Sequence, residues 1–422
     1  MAYLTHEIIN AIEIYKNQFP VMEMTQKDIS KTNNDIDKGD LLRMLEETNV
    51  SAFLNGWGPI NVIQVYDPDF NMQGILIIDN TALGPACGGI KISPTITPHQ
   101  VFLNARKMTL SCALVNVKFG GAAAGIRANP FEVRKIELMK SFARGVSPYV
   151  PDQYIATPDM NVGQGEMAAF VEEVGDRRGA TGKPEDMGGI PHELGAVGLG
   201  MGVAIEAGLE AVRPLSILPS NISEVRIAIQ GFENIGRTLV KYLANKDAKI
   251  VAISDNWCAI HDPKGIDITK LLEYSSAPTE KQSLKHCKKI KTLPKEDIWR
   301  IDCDIFIPTT GNNILTEENA RHLKSKCVVE GVNNPITPIA DQMLHQEGVL
   351  VLPDILTTAG AVICSYAEYN GNSCEMAFSL IESRLRETTC QVIQHSLESK
   401  ILIRRVTKEI ARERILQAME EA

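Results

Sequence analysis

Excess positive charge, paired cysteines and long unbroken apolar runs are all missing from this chain, and each shortage closes off a class of function. Lys and Arg number 43 against 52 Asp and Glu, a formal charge of -9. Phosphate backbones and anionic lipid heads attract clustered cations, so neither nucleic acid nor a membrane surface is an expected partner. The nine cysteines stand singly with no CxxC spacing. That pattern offers no metal site, and in a chain too long to need staples it fits buried thiols in a reducing compartment. The opening MAYLTHEIINAIEIYK carries Glu and His among its apolar residues and has no basic stretch leading into an apolar one, so a cytoplasmic protein without a secretory signal is expected. The most apolar stretch, Leu194 to Val212, is interrupted by Glu206 and Glu210. It falls short of the roughly 18 or more residues that suggest a membrane span and reads as a buried helix.

What is present is ample core material. With 422 residues, 44% hydrophobic and 23% charged, the chain exceeds a comfortable single core, and two domains are expected. Residues 1 to 50 carry two short helical patterns separated by a polar loop from Lys31 to Asp40. From Ile60 the runs INVIQVYD and GILIIDN, rich in β-branched residues, predict strands. Helical stretches then alternate with short apolar runs to about residue 186, giving one α/β domain. A sharper alternation follows, in which VRIAIQGFENIG, AKIVAISDN, CDIFIPTTG, KCVVEGVNN and GVLVLPDIL are near-continuous apolar strands. Such runs imply a parallel sheet covered on both faces. The expected fold is α/β, two domains around a cleft: 1–187 plus 357–422 as a substrate and oligomerisation domain, and 188–356 as a Rossmann-like doubly wound domain. From Asn372 onward, apolar residues at helical spacing predict amphipathic helices that fold back onto the first domain or onto a neighbouring subunit. The basic stretch Lys285 to Lys295 reads as a solvated face.

Within VRIAIQGFENIG the strand, tight turn and helix start stand where a GxGxxG loop seats a pyrophosphate on backbone N–H groups. Gly231 and Gly236 occupy the first and third glycine positions, and Asn234 and Ile235 lie between. The middle glycine is replaced by Glu233, whose side chain and negative charge both oppose a dinucleotide. Asp255 ends the next strand, where an acidic residue would hold a ribose hydroxyl pair and favour NAD over its 2′-phosphorylated form. A broken GxGxxG by itself is equally well a plain structural turn.

The context is GPACGGIK (84–91), KMTLSCALVNVKFGGAAAGIRANP (107–130), ATPDMNVG (156–163), GGIPHELGAVG (188–198), SDNWCAIHDPKGID (254–267) and PDILTTAGAVICSYAEY (353–369). In order and spacing these segments resemble the glutamate dehydrogenase branch of the amino-acid dehydrogenases acting on glutamate, leucine, phenylalanine and valine, over roughly residues 50 to 420. The resemblance implies oxidative deamination with NAD or NADP, in a homohexamer or a mixed oligomer. It also implies particular residues, and most of the reactive ones are replaced. Cys87 stands where GPAKGGIR presents a lysine to a side-chain carboxylate, although leucine-type members lack that lysine too. Ser111 stands where MTxKxA offers a lysine to the α-carboxylate. Ala123 stands where the GGxKGG lysine, its pKa lowered, polarises the carbonyl or imine and activates water.

Asp159 matches the aspartate that exchanges protons with that lysine, but an Asp after Pro158 is also a common turn former. Ser365 matches a serine near the substrate side chain and Asn333 a family asparagine at the cofactor. Thr358 and Val197 replace an asparagine and a threonine on the nicotinamide side. Arg127 and Lys118 are the nearby cations available as substitutes, although a guanidinium is a poor proton shuttle. The expected function is a non-catalytic, glutamate dehydrogenase-like subunit that senses a small metabolite in the old cleft, alone or beside an active paralogue. The alternative is an active NAD(P)-dependent amino-acid dehydrogenase with altered chemistry, and a third is a binding protein that uses another surface.

Overall fold

The computed structural model describes residues 56–131, 134–275, 283–286 and 290–421. The helical patterns expected within residues 1 to 50, with their intervening loop, lie outside the described residues, as does part of the basic stretch 285–295.

The first sheet comprises β1 (Asn61–Asp67), β2 (Met72–Asn80), β3 (Ala86–Ile92), β4 (Gly120–Arg127) and β5 (Tyr154–Pro158), in the order β1-β2-β4-β3-β5 among the described residues. β1, β2 and β4 pair antiparallel, whereas β3 is parallel to both β4 and β5. Strand alternation divides its residues between two layers. Leu76, Ile78, Ile90, Ala122 and Ala124 pack on Met139, Phe142 and Phe170, which belong to α2 (Lys135–Val146) and α3 (Gln164–Val174). Ile75, Ile77 and Ala123 face α1 (Pro98–Leu114) on the other side. Helix α1 starts where Thr97 accepts the Gln100 N–H, the Gln100 side chain returns to the Thr97 backbone and Pro98 occupies the first turn, a capping box that satisfies otherwise orphaned donors.

After α4 (Ala196–Val212) come β6 (Arg226–Gln230), α5 (Asn234–Ala244), β7 (Lys249–Ser254), β8 (Ala259–His261), α6 (Ile268–Ser275), β9 (Lys291–Leu293) and β10 (Ile305–Pro308). α7 (Glu317–Ala320), β11 (Cys327–Val329), α8 (Pro338–Gln346) and β12 (Leu350–Leu352) complete the unit. Its sheet runs β12-β11-β10-β6-β7-β8-β9 among the described residues. The five strands from β12 to β7 are parallel, as their apolar runs predict. The purely parallel expectation needs one correction: β8 and β9 extend the edge antiparallel. They are three residues each, too short to declare a strand by alternation. Helix α4 is long and apolar enough to be a candidate span by composition, but its glycine-rich length is mostly buried. It packs against α5 and against three of the four closing helices, α9 (Asp354–Thr357), α10 (Gly360–Tyr369) and α11 (Cys374–Ser399), the fourth being α12 (Ile403–Glu421).

The closing helices return to α1, as their amphipathic pattern predicts. Arg414 on α12 donates to the Ala113 and Leu114 carbonyls, and Arg384 on α11 to those of Val115 and Asn116. The last carbonyls of α1, which no helical N–H can reach, are therefore capped by guanidinium groups from the far end of the chain. One apolar core runs from Cys87, Cys112 and Phe119 through α4 to Ile227, Ile305, Leu385 and Ile410.

Candidate active-site cleft and nucleotide loop

Cys87, Ser111 and Ala123, the three positions where the resemblance implies lysines, lie on β3, α1 and β4. Cys87 is fully buried, and burial pushes its thiol well above the ordinary range, with the charges of Cys112 and Glu368 adding to the rise. Ser111 is buried, and its hydroxyl donates to the Ile355 carbonyl at 3.3 Å. Ala123 is 3% exposed, enclosed by Ile75, Ile77, Ile96, Val101, Phe102 and Ala105. These positions are packed interior rather than vacated slots. Arg127 is exposed and donates to the Ile96 carbonyl, and Lys118 is exposed.

Asp159 follows β5. Its Oδ1 accepts the Met160 N–H at 2.7 Å and its carbonyl accepts that of Val162, so the turn-forming role is present. Its Oδ2 also lies 3.6 Å from Lys91 Nζ, a cation on β3 that sequence reasoning missed. A Cβ at Gly89 would come 2.7 Å from Asp159 Cβ, so glycine there lets the aspartate settle over the strand. Beside it, His192 keeps Nε2 out of water without a hydrogen-bond partner in the structure, and burial lowers its pKa against the opposing pull of Glu368, Glu193 and Asp159.

Ser365 is buried on α10, three residues before Glu368. Glu368 holds the Lys183 ammonium at 2.6 Å and accepts the Gly182 and Ile190 N–H groups, each at 2.8 Å. Both members are nearly sealed, at 4% and 5% exposure. Nothing local in the sequence announces this pair, since its partners are 185 residues apart.

At the nucleotide loop, Gly231 takes φ +103°, and a side chain there would strike the Thr309 hydroxyl at 2.6 Å. Thr309 Oγ donates toward the Gln230 and Gly231 carbonyls. Glu233 occupies the N-cap of α5, ahead of Asn234, Ile235 and Gly236, and its Oε1 accepts from Asn256 Nδ2 at 3.1 Å. Asp255 Oδ1 accepts the Trp257 and Cys258 N–H groups, while Oδ2 accepts the Leu284 N–H and the Ser283 hydroxyl, over 2.7–3.1 Å. An ionised carboxylate has about four acceptor positions, and here each is taken by the protein. Asn333 Oδ1 accepts from Lys107 Nζ. Thr358 Oγ donates to the Asp354 carbonyl at 2.6 Å, and half-buried Val197 packs on the core.

Two α/β units, one of them a Rossmann-like sheet with its glycine turn, are the architecture of a dehydrogenase-like fold. The model of the Glu/Leu/Phe/Val dehydrogenase dimerisation domain matches residues 59–176, and that of the Glutamate/Leucine/Phenylalanine/Valine dehydrogenase matches 188–422; the chain belongs to this family. It is 34% identical over 332 residues to the glutamate dehydrogenase of Aeropyrum pernix, covering 75% of this chain and 77% of that one. It is 34% identical over 304 residues to the NAD-specific glutamate dehydrogenase of Staphylococcus aureus, covering 70% and 71%. Among solved structures, the hetero-hexameric glutamate dehydrogenase of Thermus thermophilus in a leucine-bound form superposes with a TM-score of 0.74 at 26% identity, over 85% of this chain and 88% of that one.

The buried thiols give a direct check on the packing. The thiolate is the reactive form, and burial raises Cys112 well above its usual range and Cys303, Cys327 and Cys364 to about 12 each. Native protein treated with a maleimide near neutral pH is expected to react at partly exposed Cys374 and Cys390 while these four and Cys87 react only after denaturation. Rapid native labelling of Cys87 or Cys112, located by peptide mass mapping, would place water inside the cleft floor.

Proposed function

We propose that this chain is a non-catalytic, glutamate dehydrogenase-like subunit of an oligomer that retains the family scaffold for assembly and for binding a small metabolite. The observation that carries the reading is that the three lysine positions, Cys87, Ser111 and Ala123, are buried and bring no ammonium group to the cleft. A positioned acid or base contributes about 10²–10⁴ in rate and a hydrogen bond to a charged group about 1.5–3 kcal/mol. Removing both leaves little deamination.

The nucleotide loop supports the same reading, because its residues do not fit a nicotinamide dinucleotide. Glu233 sets a carboxylate at the phosphate turn, Asp255 has no acceptor left for a ribose, and Asn333 is engaged by Lys107. The Thermus relative, hetero-hexameric and leucine-bound by its description, supports a mixed oligomer with an active paralogue and an amino acid as the metabolite; a homohexamer is the other assembly consistent with the scaffold. The buried free thiols suit a reducing cytoplasm.

The test is a spectrophotometric assay with NAD and NADP against a panel of amino and keto acids. No turnover above background is expected, together with copurification of a catalytic family member on coexpression. One observation favours the alternative of an altered active enzyme: Lys91 stands 3.6 Å from Asp159 and offers a proton-carrying pair. Turnover abolished by both Lys91→Met and Asp159→Asn would establish that alternative and end the proposal.

A further inference from the structure

Lys107 lies one helical turn before Ser111 on α1, and residues four apart share a helix face. That face meets the second unit. Ser111 reaches the Ile355 carbonyl, and the Lys107 ammonium lies 2.9 Å from Asp354 Oδ2 while donating to Asn333 Oδ1. Asn333 and Asp354 follow β11 and β12. They stand at the carboxyl ends of parallel strands, the edge at which open α/β sheets receive their ligands. A cation from the first unit thus occupies the ligand edge of the second.

The receiving carboxylate is built in. Asp354 is 2% exposed. Its Oδ2 also accepts the Asn334 N–H at 3.0 Å, and its own N–H donates to Glu330 Oε2 at 2.8 Å. Arg404 of α12 reaches Glu330 with both terminal nitrogens and Asp341 of α8 through Nε at 2.9 Å, while standing 4.0 Å from Asp354. Burial opposes the Asp354 charge, but Lys107 and Arg404 outweigh it and hold the carboxyl below its usual range. Lys408, also on α12, adds a third cation to the group. Three carboxyl groups, of which burial pushes Glu330 up to about 7, and three basic groups therefore meet where α1, β11, α9, α8 and α12 converge, and Lys107 is the member contributed by α1.

We propose that Lys107 is a clamp, an internal cation that holds α1 against the ligand edge of the Rossmann-like sheet and fixes the two units in one arrangement. A ligand of the Rossmann-like sheet would have to reach that edge. In this chain the Asn333 amide and the Asp354 carboxylate are already occupied by a tethered ammonium. The inference does not depend on whether the protein catalyses anything, since it concerns arrangement and not chemistry.

The experiment is hydrogen exchange and small-angle scattering on the full chain carrying Lys107→Met, which keeps the apolar stem, beside Lys107→Arg, which keeps the charge. In the Met variant the amides of Asn334 and Asp354 and those of α1 are expected to exchange at least about tenfold faster, with a larger radius of gyration, a local opening rather than a global one. The Arg variant is expected to resemble the parent. Unchanged local exchange and scattering in the Met variant would overturn the clamp, and so would acceleration spread uniformly over both sheets. If Lys107→Met does not fold, Asp354→Asn makes the same measurement from the other side, and parent-like exchange there would equally overturn it.

Discussion

Replacing Glu368 by Ala is expected to cost about 3–5 kcal/mol of stability, the range for breaking a buried pair by removing one partner. The carboxylate accepts Lys183 Nζ and the N–H groups of Gly182 and Ile190, so its removal strands a buried ammonium and two backbone donors together. Glu368→Gln keeps an acceptor for the backbone groups and should fall between the parent and Ala. A double variant, Lys183→Met with Glu368→Leu, should recover part of the loss, because replacing both partners with apolar groups removes the uncompensated charge. Urea denaturation of the four proteins decides it. A loss below about 1 kcal/mol for Glu368→Ala would mean that water reaches this pair.

The second large effect is expected from placing a lysine at position 123, where the resemblance implies one. Ala123→Lys places an ammonium among Ile75, Ile77, Val101 and Phe102, in a space packed to fit a methyl group. Overpacking costs about 1–3 kcal/mol and an unpaired buried charge several more, so a total loss of about 3–5 kcal/mol is expected, with no gain of dehydrogenase activity. Ala123→Leu separates the two contributions, since it overpacks without charge and should lose only the smaller amount. A Lys variant as stable as the parent, and active with NAD and an amino acid, would mean that the lysine alone had been missing. The neighbours would then have adapted to nothing.

Much of the fold was legible before any coordinates. The five apolar runs from VRIAIQG to GVLVLPD became the parallel strands because burial on both faces requires near-continuous apolar residues, a pattern that survives in sequence. The stretch from Leu194 to Val212 was legible as a buried helix by its charges and glycines. β8 and β9 were not, because three-residue edge strands are set by pairing rather than by periodicity. At the site, Cys87, Ser111 and Ala123 could be named from residue identity alone as the positions where the resemblance implies lysines. Their surroundings could not, because Ile355 above Ser111 and Phe102 beside Ala123 come from tertiary packing. The same limit hid Lys107–Asp354 and Lys183–Glu368, whose partners are far apart in the chain. Position 107 had one visible signal, a lysine four residues ahead of Ser111 on the same helix face.

The guanidinium caps on α1 carry a consequence for biosynthesis. The carbonyl of Leu114 takes its cap from Arg414, 300 residues later, and that of Val115 from Arg384, while the Ala113 carbonyl also accepts the Asn116 N–H. The carboxyl end of the helix that bears Lys107 and Ser111 is therefore completed only once α11 and α12 have been made. Removing the final twenty residues would therefore injure a segment near position 114 before it disturbed most of what lies between.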